Sequence, residues 1–206
     1  MISKNPLLQL GHQSTEFEFW PNFLSSDEAD KLFEELLQKV PWRHENLFMY
    51  GRNMPMPRLT AWYGDVGASY TYSGVKNEPL PWLPSLFEVR KRLAFFIGSD
   101  FNSLLLNFYR NGKDSLSWHQ DNEPELGPEP LIASISLGVT RRFDVKEAAG
   151  GEVKFKLSLN SGSLLVMRGR AQSEWLHSIP KSSEKEKRIN LTFRNVETLP
   201  PQKLLF

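Results

Sequence analysis

Two histidines and an aspartate are the residues of this 206-residue chain best suited to holding a metal ion. His119 and Asp121 stand two apart in "SWHQDNE", so an extended backbone places both side chains on one face. His177 follows far downstream in "WLHSIP". Two imidazoles and one carboxylate make the facial triad that binds non-haem iron and leaves coordination positions open. The chain has no cysteine, and a structural zinc site would need a fourth protein ligand, which His12 and His44 are poorly placed to supply.

The segment "RINLTFRN" near the end of the chain predicts a strand with two contrasting faces. Arg188, Asn190, Thr192 and Arg194 share one face, and the residues between them are apolar. A guanidinium matches a carboxylate with two parallel hydrogen bonds, so this row could receive an anion. The alternative is a solvated strand face, which antiparallel sheets commonly have.

The order of these groups favours a site over chance. A His-x-Asp pair, then a distant histidine, then Arg188 eleven residues later on a terminal strand is a rare combination. Asn107 and Tyr109 share a face in "LLNFYRNG" and form either further ligand contacts or the polar side of a strand.

The composition is typical of one globular domain, with 40% hydrophobic and 24% charged residues. The net charge of +1 indicates that any nucleic-acid partner must be held by local patches. No apolar run is long enough to span a membrane, and the start of the chain lacks a secretory apolar core. We therefore expect residues 1–206 to form one domain of a cytoplasmic protein without a membrane partner.

Two amphipathic helices are predicted in the first half of the chain. Ser25 and Glu28 have the spacing of a capping box, and apolar residues then recur at helical steps until Pro41. A second helix is predicted from about Pro84 to Ile97, with Gly98 as its end.

After Gly98 the apolar period changes to two, which predicts short strands separated by glycine-marked turns. These strands are 104–109, 132–137, 153–159, 164–167 and 189–193. Such a series indicates a β-sandwich or barrel, with the helices covering one face. Residues 43–80 contain many Tyr, Met, Pro and Arg residues and are interpreted as irregular hairpins or loops.

The chain resembles the AlkB-type nucleic-acid dealkylases, a family of iron(II)- and 2-oxoglutarate-dependent dioxygenases. The resemblance runs from about Phe17 to the end, and the segment "RINLTFR" is its most specific part. The other matching segments are "PRLTAWYGD", "YTYSG", "NFYRNG", "HQDNE", "IASISLG", "GSLLVM" and "HSIP". The resemblance implies a mainly β, α+β fold: a double-stranded β-helix (jelly roll) core at about 100–196, N-terminal helices buttressing one sheet, and a nucleotide-recognition region at about 43–80.

The resemblance also assigns roles to the candidate residues. His119, Asp121 and His177 would bind Fe(II), with 2-oxoglutarate and O2 in the open positions. Arg188, with Tyr109 and Asn190, would bind the distal carboxylate of 2-oxoglutarate. Arg194, with Asn107 and Thr192, would steady the keto-acid end, although the division between the two arginines stays open.

The activity implied is oxidative demethylation of bases such as 1-methyladenine and 3-methylcytosine, with release of formaldehyde, succinate and CO2. A base within a duplex must be flipped out to reach such a site. Tyr72 would stack on the flipped base, and Tyr70 and Glu123 would hydrogen-bond its polar edge. The remaining expected substrate contacts are Tyr50, Arg58 and Ser73, with Tyr50 filling the vacated base stack.

Two departures from the family pattern bear on the nucleic acid bound. The loop "KSSEKEK" is less basic than in duplex-repairing relatives, and Asn122 stands where some relatives have an acid. Phosphate contacts must then come from a dispersed set of cations. These are Arg52, Arg58, Arg110, Arg168, Arg170, Lys181 and Lys185. We expect modest, salt-sensitive affinity and a preference for single strands.

Two alternatives stay open at this point. A related oxygenase could act on RNA, protein or a small molecule with the same iron and 2-oxoglutarate chemistry. A jelly-roll binding module with a decayed site is a second alternative, against which the complete triad and both arginines argue. The family implies a monomer acting on alkylated DNA, in the nucleoid of a bacterium or the nucleus of a eukaryote.

Overall fold

The structure is a computed structural model that describes residues 5–10, 16–49, 52–68, 70–72 and 75–197. For residues 47–49, 52–53, 70–72 and 75–77 it describes the backbone. In these ranges, no helix combines the length and the apolar character that crossing a membrane requires.

Helix α1 (Ser26–Lys39) begins at the predicted capping box. The Glu28 backbone N–H donates to Ser25 Oγ at 3.3 Å, and the Ser25 N–H donates to Glu28 Oε2 at 2.8 Å. Such a cap stabilises a helix by about 0.5–2 kcal/mol relative to alanine. The apolar stripe of α1 packs on the larger of two sheets, as predicted.

Helix α2 (Pro84–Ile97) begins with proline in its first turn and ends at Gly98, which adopts φ 80°. A left-handed residue at this position favours glycine, which has no Cβ to clash. Leu86, Val89 and Leu93 turn inward and join the same core as α1. Both helices therefore cover one face of the sheet beneath them.

The larger sheet has seven antiparallel strands in the spatial order β1-β2-β13-β10-β15-β8-β5. Their bounds are β1 (Leu8–Leu10), β2 (Phe17–Trp20), β5 (Leu59–Gly64), β8 (Ser103–Tyr109), β10 (Ile132–Gly138), β13 (Leu164–Met167) and β15 (Arg188–Arg194). Strand β15 lies between β10 and β8, so both of its edges are paired and all seven of its residues are buried.

The smaller sheet has four antiparallel strands in the order β12-β11-β14-β9. Their bounds are β9 (Leu116–His119), β11 (Arg141–Glu147), β12 (Phe155–Leu159) and β14 (Trp175–Ile179). A short helix, α3 (Ala171–Glu174), precedes β14, and a 3-10 turn follows β9 at Pro124–Leu126. Strand β12 begins two residues later than the alternation predicted.

The two faces of the larger sheet belong to two separate cores. One face packs against the helices, through residues such as Ile135, Leu106 and Leu191. The other packs against the smaller sheet, through residues such as Ile132 and Met167 on one side and Phe143 and Val145 on the other. Two facing antiparallel sheets with helices on one outer face confirm the predicted jelly-roll core.

The region 43–80 is more ordered than the sequence indicated. It contains the predicted hairpins, β3 (Asn46–Met49) with β4 (Arg52–Pro55) and β6 (Tyr70–Tyr72) with β7 (Val75–Asn77). Between them lies β5, which pairs with β8 along its whole length and was not predicted. Because Thr60 to Gly64 are all buried, β5 has no polar–apolar alternation to reveal it.

Candidate active site

The three predicted metal ligands converge between the two sheets. His119 ends β9 and His177 lies in the neighbouring β14, where the two are paired across the strands. Asp121 follows two residues after His119 and is buried. One ligand atom from each residue lies within 4.8 Å of the others, and the two imidazole centroids are 4.1 Å apart.

Neighbouring groups hold these ligands in place. His119 Nδ1 lies 2.8 Å from the Ser117 carbonyl, so a proton on Nδ1 leaves Nε2 free to bind metal. The Gln172 side chain accepts a hydrogen bond of 2.8 Å from the Asp121 backbone N–H. The Phe143 ring stacks on His177 at a centroid distance of 5.3 Å. The site is therefore preorganised by groups that do not themselves bind metal.

The electrostatics of the three ligands also suit a cation. Burial lowers the pKa of His119, and burial together with His119 lowers the pKa of His177 to about 3. Burial alone would raise the pKa of Asp121, but the charge of Arg194 keeps it below its ordinary value. Two neutral imidazoles and an ionised carboxylate are the protonation states in which these groups bind metal.

Arg194 contacts the triad directly. Its Nη2 donates to Asp121 Oδ1, and both side chains are buried. The other carboxylate oxygen, Oδ2, lies 3.9 Å from His177 Nε2. Arg194 thus holds the aspartate with one oxygen toward the histidines, at the end of β15 beside the metal cluster; its role toward the keto-acid end of 2-oxoglutarate stays a prediction.

Arg188 lies at the opposite end of β15, beside Tyr109 of β8, with which it is paired. Its guanidinium carbon is 5.1 Å from the Tyr109 ring centroid, and its Nη2 donates to Ser136 Oγ at 2.9 Å. Burial lowers the pKa of Arg188 to about 10, an effect that Tyr109 partly offsets. Three polar groups here make no hydrogen bond of standard geometry with the described residues: Arg188 Nε, Arg188 Nη1 and the Tyr109 hydroxyl.

Asn190 and Thr192 connect the two arginines along β15. Thr192 Oγ1 donates to Asn190 Oδ1 at 2.9 Å, and Asn190 Nδ2 donates to Ser134 Oγ at 2.8 Å. On the adjacent β8, Asn107 Oδ1 accepts a 2.6 Å hydrogen bond from Arg58 Nε. The structure therefore brings all six predicted 2-oxoglutarate residues to one wall, facing the metal ligands.

These walls enclose a pocket of about 180 Å3. A cavity of about 150 Å3 already admits a benzene-sized molecule. The apolar part of the lining includes Trp62, Leu105, Met167 and Ile179. The pocket is thus large enough for a small organic ligand beside the triad.

The predicted substrate residues fall into three groups. Arg58 and Glu123 line the pocket. Tyr70 and Tyr72 form the two ends of β6, for which the backbone is described. Tyr50 and Ser73 lie outside the described residues.

Most arginines expected to contact phosphate are engaged elsewhere. Arg58 is buried inside the pocket, which suits contact with a bound ligand and not with a surface phosphate. Arg110, Arg168 and Arg170 form ion pairs with Asp114, Glu18 and Glu174. Lys181 and Lys185 are exposed.

Several supporting residues were missed from the sequence. Ser134 and Ser136 lie opposite Thr192 and Asn190 on β10 and accept hydrogen bonds from Asn190 and Arg188. Two polar residues alternating within the apolar segment "IASISLG" were the available signal. Gln172 gave no such signal, because it lies in a four-residue helix 51 residues from its partner.

The residues present fit iron and a dicarboxylate cosubstrate. Imidazole and carboxylate ligands suit Fe(II), and the triad lies at the pocket. The buried, incompletely hydrogen-bonded guanidinium of Arg188 is a costly arrangement unless an anion binds there. The two halves of the site therefore call for a cation and an anion side by side.

The comparison with known families decides which family has this site. The sequence pattern of the 2OG-Fe(II) oxygenase superfamily matches residues 16–194. The chain belongs to this superfamily. Membership implies Fe(II), 2-oxoglutarate and dioxygen, and the match includes all three metal-ligand candidates and both arginines.

Relatives within the superfamily confirm the AlkB resemblance. The chain is 44% identical over 187 residues to the rat alpha-ketoglutarate-dependent dioxygenase alkB homolog 3, and the match covers 86% of this chain and 63% of the relative. It is 39% identical over 187 residues to the mouse DNA oxidative demethylase ALKBH2, with 85% and 77% covered. The chain thus spans less than two thirds of the alkB homolog 3 sequence.

A solved structure supports the fold. The structure of OsALKBH1 superposes with a TM-score of 0.65 at 18% sequence identity, covering 87% of this chain and 96% of that one. At this identity the similarity concerns the fold alone.

Proposed function

We propose that the chain is an Fe(II)- and 2-oxoglutarate-dependent dioxygenase that removes N-linked alkyl groups from nucleobases in DNA. Bases such as 1-methyladenine and 3-methylcytosine would be restored directly, with release of formaldehyde, succinate and CO2. The single observation that carries the proposal is the His119–Asp121–His177 cluster facing Arg188 across one pocket. The relatives named as a DNA oxidative demethylase and as alkB homologs support the substrate class.

The residues of the chain divide into three tasks. The triad would hold iron, and Arg188, Tyr109 and Asn190 would bind the distal carboxylate of 2-oxoglutarate. Bound iron, 2-oxoglutarate and dioxygen together supply an oxidant able to hydroxylate an N-methyl carbon. Every other requirement is met by the protein, which orients the methyl group and excludes water from the pocket.

We propose that the region 43–80 supplies most of the residues that recognise the base. Glu45, Met56 and Arg58 of this region line the pocket together with Glu123. We propose that Tyr50, Tyr70, Tyr72 and Ser73, from the same region of the sequence, contact the flipped base and its neighbours. Flipping is required because a stacked base cannot enter so enclosed a site.

Partner and location follow from the proposed substrate. We propose that the protein acts as a monomer on alkylated single-stranded DNA in preference to duplex, with RNA as a possible additional substrate. Among the described residues, few of the expected arginines are free for phosphates, so we expect modest affinity; the phosphate contacts that remain are electrostatic and should weaken with salt. It would act in the cytoplasm at the nucleoid of a bacterium or in the nucleus of a eukaryote.

The test is an assay of formaldehyde release that depends on iron, 2-oxoglutarate and oxygen. It compares 1-methyladenine and 3-methylcytosine in single-stranded DNA, duplex DNA and RNA. His44→Ala serves as a matched control, since His44 is an exposed histidine outside the triad. The His44→Ala variant is expected to release formaldehyde from alkylated DNA. Without 2-oxoglutarate, no formaldehyde release is expected.

The assay also separates the alternatives. Release from RNA alone would move the substrate to RNA. Turnover of 2-oxoglutarate without any release from nucleic acid would indicate an oxygenase for protein or a small molecule. A binding module would show neither, and would lack the weak visible charge-transfer band that anaerobic Fe(II) with 2-oxoglutarate should give.

A further inference from the structure

Arg141, the first residue of β11, is a buried cation that the proposed function does not use. It is 1% exposed, and its guanidinium carbon lies 5.6 Å from the Tyr109 ring centroid. Arg188 approaches the same ring at 5.1 Å. We infer that Arg141 is a positioning residue for the distal carboxylate of the cosubstrate, an inference that rests on the proposed function.

The hydrogen bonds of Arg141 tie together the ends of three site-bearing strands. Its Nη1 donates to the Asn111 carbonyl at 3.2 Å, and its Nη2 donates to the carbonyls of Asp114 at 2.9 Å and Pro180 at 2.7 Å. Asn111 and Asp114 lie in the turn between β8, which ends at Tyr109, and β9, which ends at His119. Pro180 directly follows β14, which carries His177. One guanidinium therefore ties the turn that follows Tyr109 to the segment that follows β14, and so holds the end of β8 that carries the anion-binding tyrosine.

The charge of Arg141 is a separate matter from these hydrogen bonds. Neutral donors could satisfy three carbonyls, whereas burying a charge is costly unless something compensates it. Among the described residues, no carboxylate forms an ion pair with Arg141. Burial lowers its pKa, which Tyr109, Asp114 and Glu184 only partly counter.

Arg141 adds its field to that of Arg188. The positive charge of Arg141 contributes to the lowered pKa of Arg188, so the two cations repel each other through the protein. A carboxylate placed beside Arg188 and Tyr109 relieves this repulsion. The geometry and the charge of Arg141 thus both favour a ligand with a second carboxylate over one without it.

The test measures binding and not turnover, by calorimetry on the full chain loaded with Mn(II) without oxygen. Two probes are compared: 2-oxoglutarate, and 2-oxobutyrate, a 2-oxo acid that has no distal carboxylate. Arg141→Gln is expected to weaken 2-oxoglutarate binding by about tenfold and to leave 2-oxobutyrate binding unchanged. Arg142→Gln is the control, because Arg142 is an exposed neighbour on the same strand that pairs with Asp144.

A purely structural role for Arg141 would weaken both probes alike, and that result overturns the inference. So does unchanged binding of 2-oxoglutarate by Arg141→Gln. Arg141→Lys keeps the charge without the three-carbonyl fork and should weaken 2-oxoglutarate alone, by about threefold. It decides the matter by the same criterion if Arg141→Gln fails to fold. Failure of the unaltered protein to bind 2-oxoglutarate would overturn the proposed function itself.

Discussion

The two faces of strand β15 differ sharply although the residues that form them alternate along one segment. Ile189, Leu191 and Phe193 are completely buried in the core beneath the helices. Arg188 and Arg194, on the other face, are nearly as buried but carry full charges. One face is thus built from groups whose burial stabilises the fold, and the other from groups whose burial costs free energy.

The contrast shows where stability and function lie in this fold. A buried guanidinium is not retained for stability, since an apolar side chain of similar size is often as good or better there. The cost of burying this charge indicates a ligand that supplies a partner for it. Arg194 has such a partner within the chain, namely Asp121. Among the described residues, no carboxylate forms an ion pair with Arg188.

The largest loss of activity is expected when one of the three metal ligands is removed. His119→Ala or Asp121→Ala removes one of three ligands and should abolish formaldehyde release, because no other His, Asp or Glu of the described residues belongs to this cluster. Asp121→Ala in addition leaves Arg194 buried without its carboxylate. Clear residual demethylation by either variant, with the fold checked by circular dichroism, would refute the ligand assignment.

The apolar face predicts a loss of stability without loss of chemistry. Leu191→Ala removes a completely buried side chain and should lower the free energy of unfolding by about 2–5 kcal/mol. Chemical denaturation measures the change. Activity per folded molecule should stay near that of the unaltered chain, and a large drop would mean that the two faces are not separable.

A substitution on the polar face of β15 is expected to weaken cosubstrate binding with little loss of stability. Arg188→Ala should weaken the binding of 2-oxoglutarate by about 1.5–3 kcal/mol, or roughly 10- to 150-fold in affinity, because a charge-assisted hydrogen-bonded pair is lost. The free energy of unfolding without ligand should fall far less than in Leu191→Ala. The KM for 2-oxoglutarate and the affinity for DNA are the two readouts. A greater loss of DNA affinity would reassign Arg188 as a phosphate contact.

The smallest effect is expected at Glu123, which lines the pocket outside the metal cluster. Glu123→Ala should change the ratio of 1-methyladenine to 3-methylcytosine repair while leaving turnover of 2-oxoglutarate without substrate intact. The reason is that Glu123 lines the pocket but is not one of the clustered metal ligands. Loss of both activities together would place Glu123 among the groups that support the metal.

The sequence predicted the site better than it predicted the frame around it. The alternation in "RINLTFR" assigns each residue of β15 to its face without any knowledge of its partners. The spacing of His119 and Asp121 likewise sets their shared direction. These are local geometric rules, and local rules can be read from one segment.

What escaped prediction depends on distant contacts. Strand β5 was missed because it is buried on both faces, and β2 because four residues are too few to show a period. The hydrogen bond of Arg58 to Asn107 joins residues 49 positions apart, and that of Gln172 to Asp121 joins residues 51 apart. Arg141 gave no signal at all, since its partners are three backbone carbonyls in two distant segments.

Strand β5 has one more consequence, for how such a protein can diversify. It is anchored along the larger sheet, while the two hairpins of the region 43–80 leave from its opposite ends. Under the proposed function, changes in either hairpin would therefore alter which base is admitted without moving Asn107 or the triad.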